Sequence, residues 1–202
     1  MEEDRYTLDV LVTAPHWCIV DQSRDRSCDL GTRVYAESIY KEILKIKGKE
    51  HVKLFITDVK RGLCDTNRKG KCIARSKMRI ALRKEIERQK NTRRSRFVLF
   101  DIHSFGQYET EEGYFGLPVG DTPDVVLLTL PYQTVTNVLF EKLRENKVYV
   151  KVVSGSKVND IMLEATRAGG QAVLVEIHVP NESLINVNRR IIQSIRETVQ
   201  EM

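Results

Sequence analysis

Arg96-Phe-Val-Leu-Phe-Asp-Ile-His-Ser-Phe105 is the stretch on which the reading of this chain turns. Its first half is a continuous apolar run rich in β-branched and aromatic residues, long enough for a strand covered on both faces and too short for a helix. Its second half carries Asp101, His103 and Ser104. In an open α/β sheet the ligand crevice lies outside the C-terminal ends of the strands. Groups that bind metal or move protons, placed at the end of the most buried strand, therefore mark a place for chemistry.

On either side of this run, strand and helix patterns alternate. Residues 6–13 read as a first strand, stopped by Pro15, with His16 emerging at its end. Val34, Ile39, Ile43, Leu44 and Ile46 recur near helical spacing, so an amphipathic helix is expected to stop around Lys47 and Gly48. A second strand over 51–57 and a polar loop over 58–70 follow, then a charged helix over 76–89 with Met78, Ile80, Leu82 and Ile86 as its inner stripe. Beyond the central run, 104–123 has the length of a binding loop. Strands are expected at 124–129, 148–153 and 172–177, and helices at 135–145, 159–167 and 183–201. Such alternation predicts an α/β fold, a three-layer α/β/α sandwich with a mostly parallel central sheet. With no repeat or linker, 1–202 reads as a single domain.

Composition narrows the class. The 202 residues carry 33 Lys and Arg against 28 Asp and Glu, a formal charge of +5. No apolar run approaches the ~20 residues of a membrane span, and no apolar leader follows Met1-Glu-Glu-Asp4, so a soluble cytoplasmic protein is expected. Cys18, Cys28, Cys64 and Cys72 lack zinc-ribbon spacing and are too few for a disulfide scaffold. The positive charge concentrates between Lys60 and Arg96. Without interleaved aromatic residues that region reads as a loop and a solvated helix face in preference to a nucleic-acid footprint.

Placed on the expected sheet, His16, Asn67, Arg68, His103 and Glu176 fall at one edge. Two imidazoles and a carboxylate supply three ligands of a catalytic zinc site. A further carboxylate can act as base towards water, and a guanidinium can hold a substrate carboxylate or a developing oxyanion. These are the parts of a metal-assisted amide hydrolase.

Thr13-Ala-Pro-His16, Cys28-Asp29-Leu-Gly31, Asp65-Thr-Asn67-Arg68, Asp101-Ile-His103-Ser104-Phe105 and Val175-Glu176-Ile177 resemble, in order and spacing, the motifs of N-formylglutamate amidohydrolase-like proteins. That family is related to zinc-dependent N-acetylmuramoyl-L-alanine amidases and metallocarboxypeptidases, and the resemblance runs from about residue 10 to 180. It implies a phosphorylase/hydrolase-like sandwich binding one Zn2+ through His16, Asp29 and His103. It also implies that Glu176 polarises and deprotonates the attacking water, while Asn67 and Arg68 grip a substrate carboxylate. The chain is shorter than a typical member, and 104–123 matches no substrate-binding segment of the family. His178, two residues past Glu176, is a further candidate for substrate binding or for replacing a ligand.

Several of these residues have plainer alternatives. Asp29, just before a helix, could be its N-cap, with Asp21 the substitute ligand. Asp101 could orient His103 from behind the metal or pair with a lysine or arginine. Arg68 could be a surface charge, and Ser104 is expected to cap or support because no nucleophile elbow surrounds it. Cys18 and Cys28 are weak thiolate candidates, and Tyr132 could reach substrate or simply pack. The expected activity is zinc-dependent cleavage of a linear amide in an N-acyl amino acid or small peptide-like substrate. A carboxypeptidase or cell-wall amidase on the same scaffold, a non-catalytic relative kept as a binding module, and a basic nucleic-acid-binding protein are the rivals.

Overall fold

The structure is a computed structural model and describes residues 7–18, 29–57, 65–68, 74, 76–92, 96–106, 115–118, 120–155, 158–179 and 188–202. Strands β1 (Leu8–Ala14), β4 (Val52–Ile56), β5 (Arg96–Phe105), β6 (Val125–Thr129), β7 (Val150–Ser154) and β8 (Gln171–His178) form a six-stranded sheet in the order β4-β1-β5-β8-β6-β7. Two-residue strands β2 (Trp17–Cys18) and β3 (Asp29–Leu30) pair beside it. The helices are α1 (Thr32–Lys47), α2 (Lys77–Asn91), α3 (Thr134–Glu145), α4 (Asp160–Arg167) and α5 (Arg189–Glu201).

Alternation along the central strands builds the three layers. Val98, Phe100 and Ile102 of β5 join Val10 and Val12 of β1 and Val173, Val175 and Ile177 of β8 under α1, α3 and α5. The intervening positions Phe97 and Leu99, with Leu11 and Leu174, meet Met78, Leu82 and Ile86 of α2 and Ile161, Met162 and Ala165 of α4. Because successive side chains point to opposite faces, Asp101 and His103 lie on the α2 and α4 side. Their face therefore runs from apolar to polar along β5, which puts chemistry at one end of a packed core.

Strand β5 is parallel to β1 and to β8, and β4 is parallel to β1, so these four strands end at one edge. Strands β6 and β7 are parallel to each other, but β6 runs antiparallel to β8. Gly170 introduces β8 where a Cβ would meet the Phe97 ring at 2.3 Å, so only glycine lets that strand approach β5. The observed α1, α3 and α4 match the expected spans closely, whereas α5 begins at Arg189. The expected start of that last helix at 183 lies outside the described residues.

A buried histidine, aspartate, histidine site

His103 is carried by β5, and His16 stands just past β1, directly after Pro15. Asp29 reaches them through the small β2 and β3 pair: its backbone N–H donates to the His16 carbonyl at 3.0 Å. Gly31, at φ 73°, then turns the chain into α1, with no side chain capping the helix. The competing role for Asp29 is thereby removed, since its carboxylate faces the imidazoles and Gly31 occupies the cap. Asp21 and Cys28 lie outside the described residues, as does the Cys18 side chain.

His103 Nδ1 lies 2.6 Å from Asp29 Oδ2, and His16 Nδ1 lies 3.7 Å from the same oxygen. The rings meet edge to face at 5.2 Å. Exposures of 1%, 7% and 4% for His16, Asp29 and His103 place all three out of bulk water. One ligand atom from each fits within a 4.8 Å span, so this group could hold a metal ion.

The outer nitrogens explain why the inner ones converge. His16 Nε2 is 2.8 Å from Asp65 Oδ1, and that oxygen also accepts the backbone N–H of Asn67 at 3.0 Å. His103 Nε2 is 3.3 Å from Asp101 Oδ2 and 3.0 Å from the side-chain amide nitrogen of Asn67. A carboxylate behind each imidazole orients the ring. At His16 it favours a proton on Nε2 and leaves Nδ1 for a ligand bond. At His103 the same tautomer requires the Asn67 amide to present its oxygen, which has no other partner among the described residues, to Nε2. Two such Nδ1 atoms around one carboxylate form a donor set that suits zinc.

Electrostatics follow from the same contacts. Burial disfavours the His103 imidazolium, but the Asp101 and Asp29 charges and hydrogen bonds outweigh it and raise the ring's pKa well above its ordinary value. Burial likewise pushes Asp101 upward, yet the His103 charge and hydrogen bonds from His103, Thr13 and Asn159 bring its carboxyl below the ordinary value. Without metal the cluster is thus a proton-holding network, and a bound cation must displace a proton.

The remaining sequence candidates separate. Glu176 is the register partner of His103 across the β5 and β8 ladder, so it lies on the same face one strand away, half-buried. Asn67 is buried against His103, and Arg68 beside it is exposed. The His178 ring stacks on Phe105 at 5.2 Å, one turn of the pleat beyond Glu176, and is not part of the three-residue cluster. Ser104 falls on the opposite face of β5 from His103. Tyr132 is 98% exposed past the end of β6; because β6 is antiparallel to β8, that end is at the far edge of the sheet, away from the site.

Four polar residues escaped the sequence reading. Asp65 and Thr13 sit inside quoted motifs without an assigned part, although the Thr13 hydroxyl donates to Asp101 Oδ1. Asn159 donates its amide N–H to Asp101 Oδ2 at 2.6 Å. Arg79 is fully buried between α2 and α4; its Nη2 donates to Glu164 Oε1 at 2.8 Å, while Nε and Nη1 have no hydrogen-bond partner among the described residues. In sequence Arg79 is one cation within a basic helix, and Ile80 was the residue expected on the inner stripe; the structure buries Arg79 there and leaves Ile80 40% exposed.

No protein-family model matches the chain, and no curated protein matches it by sequence. Solved structures do match in fold. The gene product Atu2144 of Agrobacterium tumefaciens superposes with a TM-score of 0.60 at 15% identity, covering 99% of this chain and 92% of its own. The N-formylglutamate amidohydrolase of Ralstonia eutropha JMP134 gives 0.59 at 13% identity, covering 96% and 94%. The N-acetylmuramoyl-L-alanine amidase AmiC2 of Nostoc punctiforme gives 0.50 at 11%, covering 96% of each chain. The fold is therefore the α/β/α sandwich shared by these proteins, the likeness anticipated from the five motifs.

Proposed function

We propose that this protein is a zinc-dependent amidohydrolase that cleaves a linear amide in an N-acyl amino acid or small peptide-like substrate bearing a carboxylate. The observation that carries the reading is the convergence of His16 Nδ1 and His103 Nδ1 on Asp29 Oδ2, with a carboxylate behind each ring. The fold likeness to an N-formylglutamate amidohydrolase and a muramoyl-alanine amidase adds a class of chemistry known to be housed on this scaffold.

His16, Asp29 and His103 would hold the metal. When bound, zinc supplies Lewis acidity at the scissile amide. Glu176, one strand from His103 on the same face, is assigned the proton traffic: it takes a proton from the attacking water and delivers it to the leaving nitrogen. Arg68, exposed on the loop that also carries Asn67, is assigned the substrate carboxylate, for which a planar guanidinium offers two parallel donors. Asn67 was expected to share that grip, but its buried amide already stands against His103, so its first duty is to the ring and the carboxylate falls mainly to Arg68. His178, backed by Phe105, would border the substrate beyond Glu176.

The test is release of free amine from N-formylglutamate, N-acetylglutamate, short peptides and muropeptides by zinc-loaded protein. Turnover of one class, abolished by a chelator and restored by zinc, is the predicted outcome. Zinc-loaded protein that is inert towards all of them, while a related amidase works in the same assay, would reject the assignment.

A further inference from the structure

Asp101 is the group on which the orientation of His103 depends, and its own position is not dictated by its strand. It stands two residues before His103 on β5, on the same face. Carboxylate rotation about χ2 is soft, so an aspartate held by one neighbour alone would direct its oxygens poorly. Here both oxygens are taken from other elements. Thr13 of β1 donates to Oδ1, and Asn159, at the start of α4, donates to Oδ2 at 2.6 Å, the same oxygen that lies 3.3 Å from His103 Nε2.

Asn159 is 3% exposed and uses both ends of its amide. Its Oδ1 accepts the Met162 backbone N–H at 3.0 Å, which makes it the N-cap of α4, while its Nδ2 faces Asp101. The next residue extends the link, because the Asp160 backbone N–H donates to the Asn67 carbonyl at 3.0 Å. Asn67 is the other group against His103 Nε2. The first turn of α4 thus fixes both neighbours of that nitrogen. A cap alone does not need asparagine, since serine and aspartate serve as well. Aspartate has no donor to add, and a serine hydroxyl would stand one bond short of the position from which Asn159 Nδ2 reaches Asp101.

We propose that Asn159 is a positioning residue of the metal site: it locks the Asp101 carboxylate onto His103 Nε2 and so presents His103 Nδ1 to the metal. This inference rests on the metal-site reading given above. Its test compares Asn159→Ser, which keeps a capping oxygen but draws its only donor back by one bond from Asp101, with Asn159→Ala, which loses both the cap and the donor. Zinc affinity is measured by competition with a chromophoric chelator, and thermal melting is recorded alongside. Both variants are expected to bind zinc about tenfold more weakly than wild type, the usual size of such outer-layer losses. Alanine is expected to melt lower than serine. Wild-type affinity in the serine variant, or affinity losses that merely follow melting temperature, would overturn the role of Asn159 and leave the metal site standing. Wild-type protein that takes up no zinc would overturn the metal site, and this inference with it.

Discussion

Asp65 and Asp101 carry equivalent duties towards two histidines, but from different kinds of support. Asp101 is fully buried in a strand, whereas Asp65 is a half-buried loop residue held by the Asn67 backbone N–H. Loss of either outer carboxylate frees an imidazole to rotate and to change tautomer. Asp65→Ala is therefore expected to weaken zinc binding about tenfold with little change in melting temperature, read by the same chelator competition. An unchanged affinity would mean that His16 needs no partner behind it. Glu176 belongs to another category, since it is assigned to proton transfer. Glu176→Gln is expected to keep its zinc and lose amide hydrolysis by roughly a hundredfold or more; a variant that retains wild-type kcat would remove Glu176 from that part. Sequence made the histidines and Glu176 visible because they stand in short motifs after apolar runs. It left Asn159 and Arg79 unremarked because a buried amide or guanidinium is indistinguishable, in one sequence, from the surface polar residues around it.

At the scale of elements, α2 is the strut between the two ends of the site face. Near its start, Arg79 and Arg83 both bond Glu164 of α4. Two cations share one carboxylate there, and the more buried of them is Arg79. Removing Glu164 strands that buried charge, so Glu164→Gln is expected to cost roughly 3 kcal/mol or more of stability. Arg79→Met is expected to cost clearly less, because Glu164 keeps Arg83. Urea unfolding of the two variants decides the order, and a reversed order would contradict this account of the α2 and α4 contact. Near the end of α2, Arg88 bridges Glu85 at 2.6 Å and Asp9 of β1 at 3.0 Å. Burial raises the Glu85 pKa, but hydrogen bonds from Arg88 and Gln89 and the charges of Arg88 and Lys53 bring it below its ordinary value of 4.5. A carboxylate depressed on folding contributes stability above its unfolded pKa and loses it as pH falls. Glu85→Gln should therefore lower the urea midpoint at pH 7, by an amount worth about 1 kcal/mol or less, and leave it near wild type at about pH 3. A deficit of equal size at both values would show that packing, not charge, is lost.

Across the whole molecule, most of the architecture was legible because buried strands and amphipathic helices have different periods. The alternation anticipated the layers, and the run ending in His103 identified the central strand. The direction of β6, and with it that of β7 paired parallel to it, was hidden: β6 is apolar and buried throughout, and such a run reads the same in either direction. That reversal is what separates Tyr132 from the site. Sheet order has a further consequence. β5 lies between β1 and β8, so His16, His103 and Glu176 come together only when three strands from distant parts of the chain have paired. The proposed metal site is accordingly a property of the assembled sheet.

The most direct check on this account is the zinc content per chain, measured by plasma mass spectrometry on protein prepared without chelators and then dialysed against limiting zinc, for wild type and His103→Ala together. The convergence of His16, Asp29 and His103 predicts about one zinc per wild-type chain and almost none in the folded variant. Equal zinc in both proteins, or none in either, would contradict it.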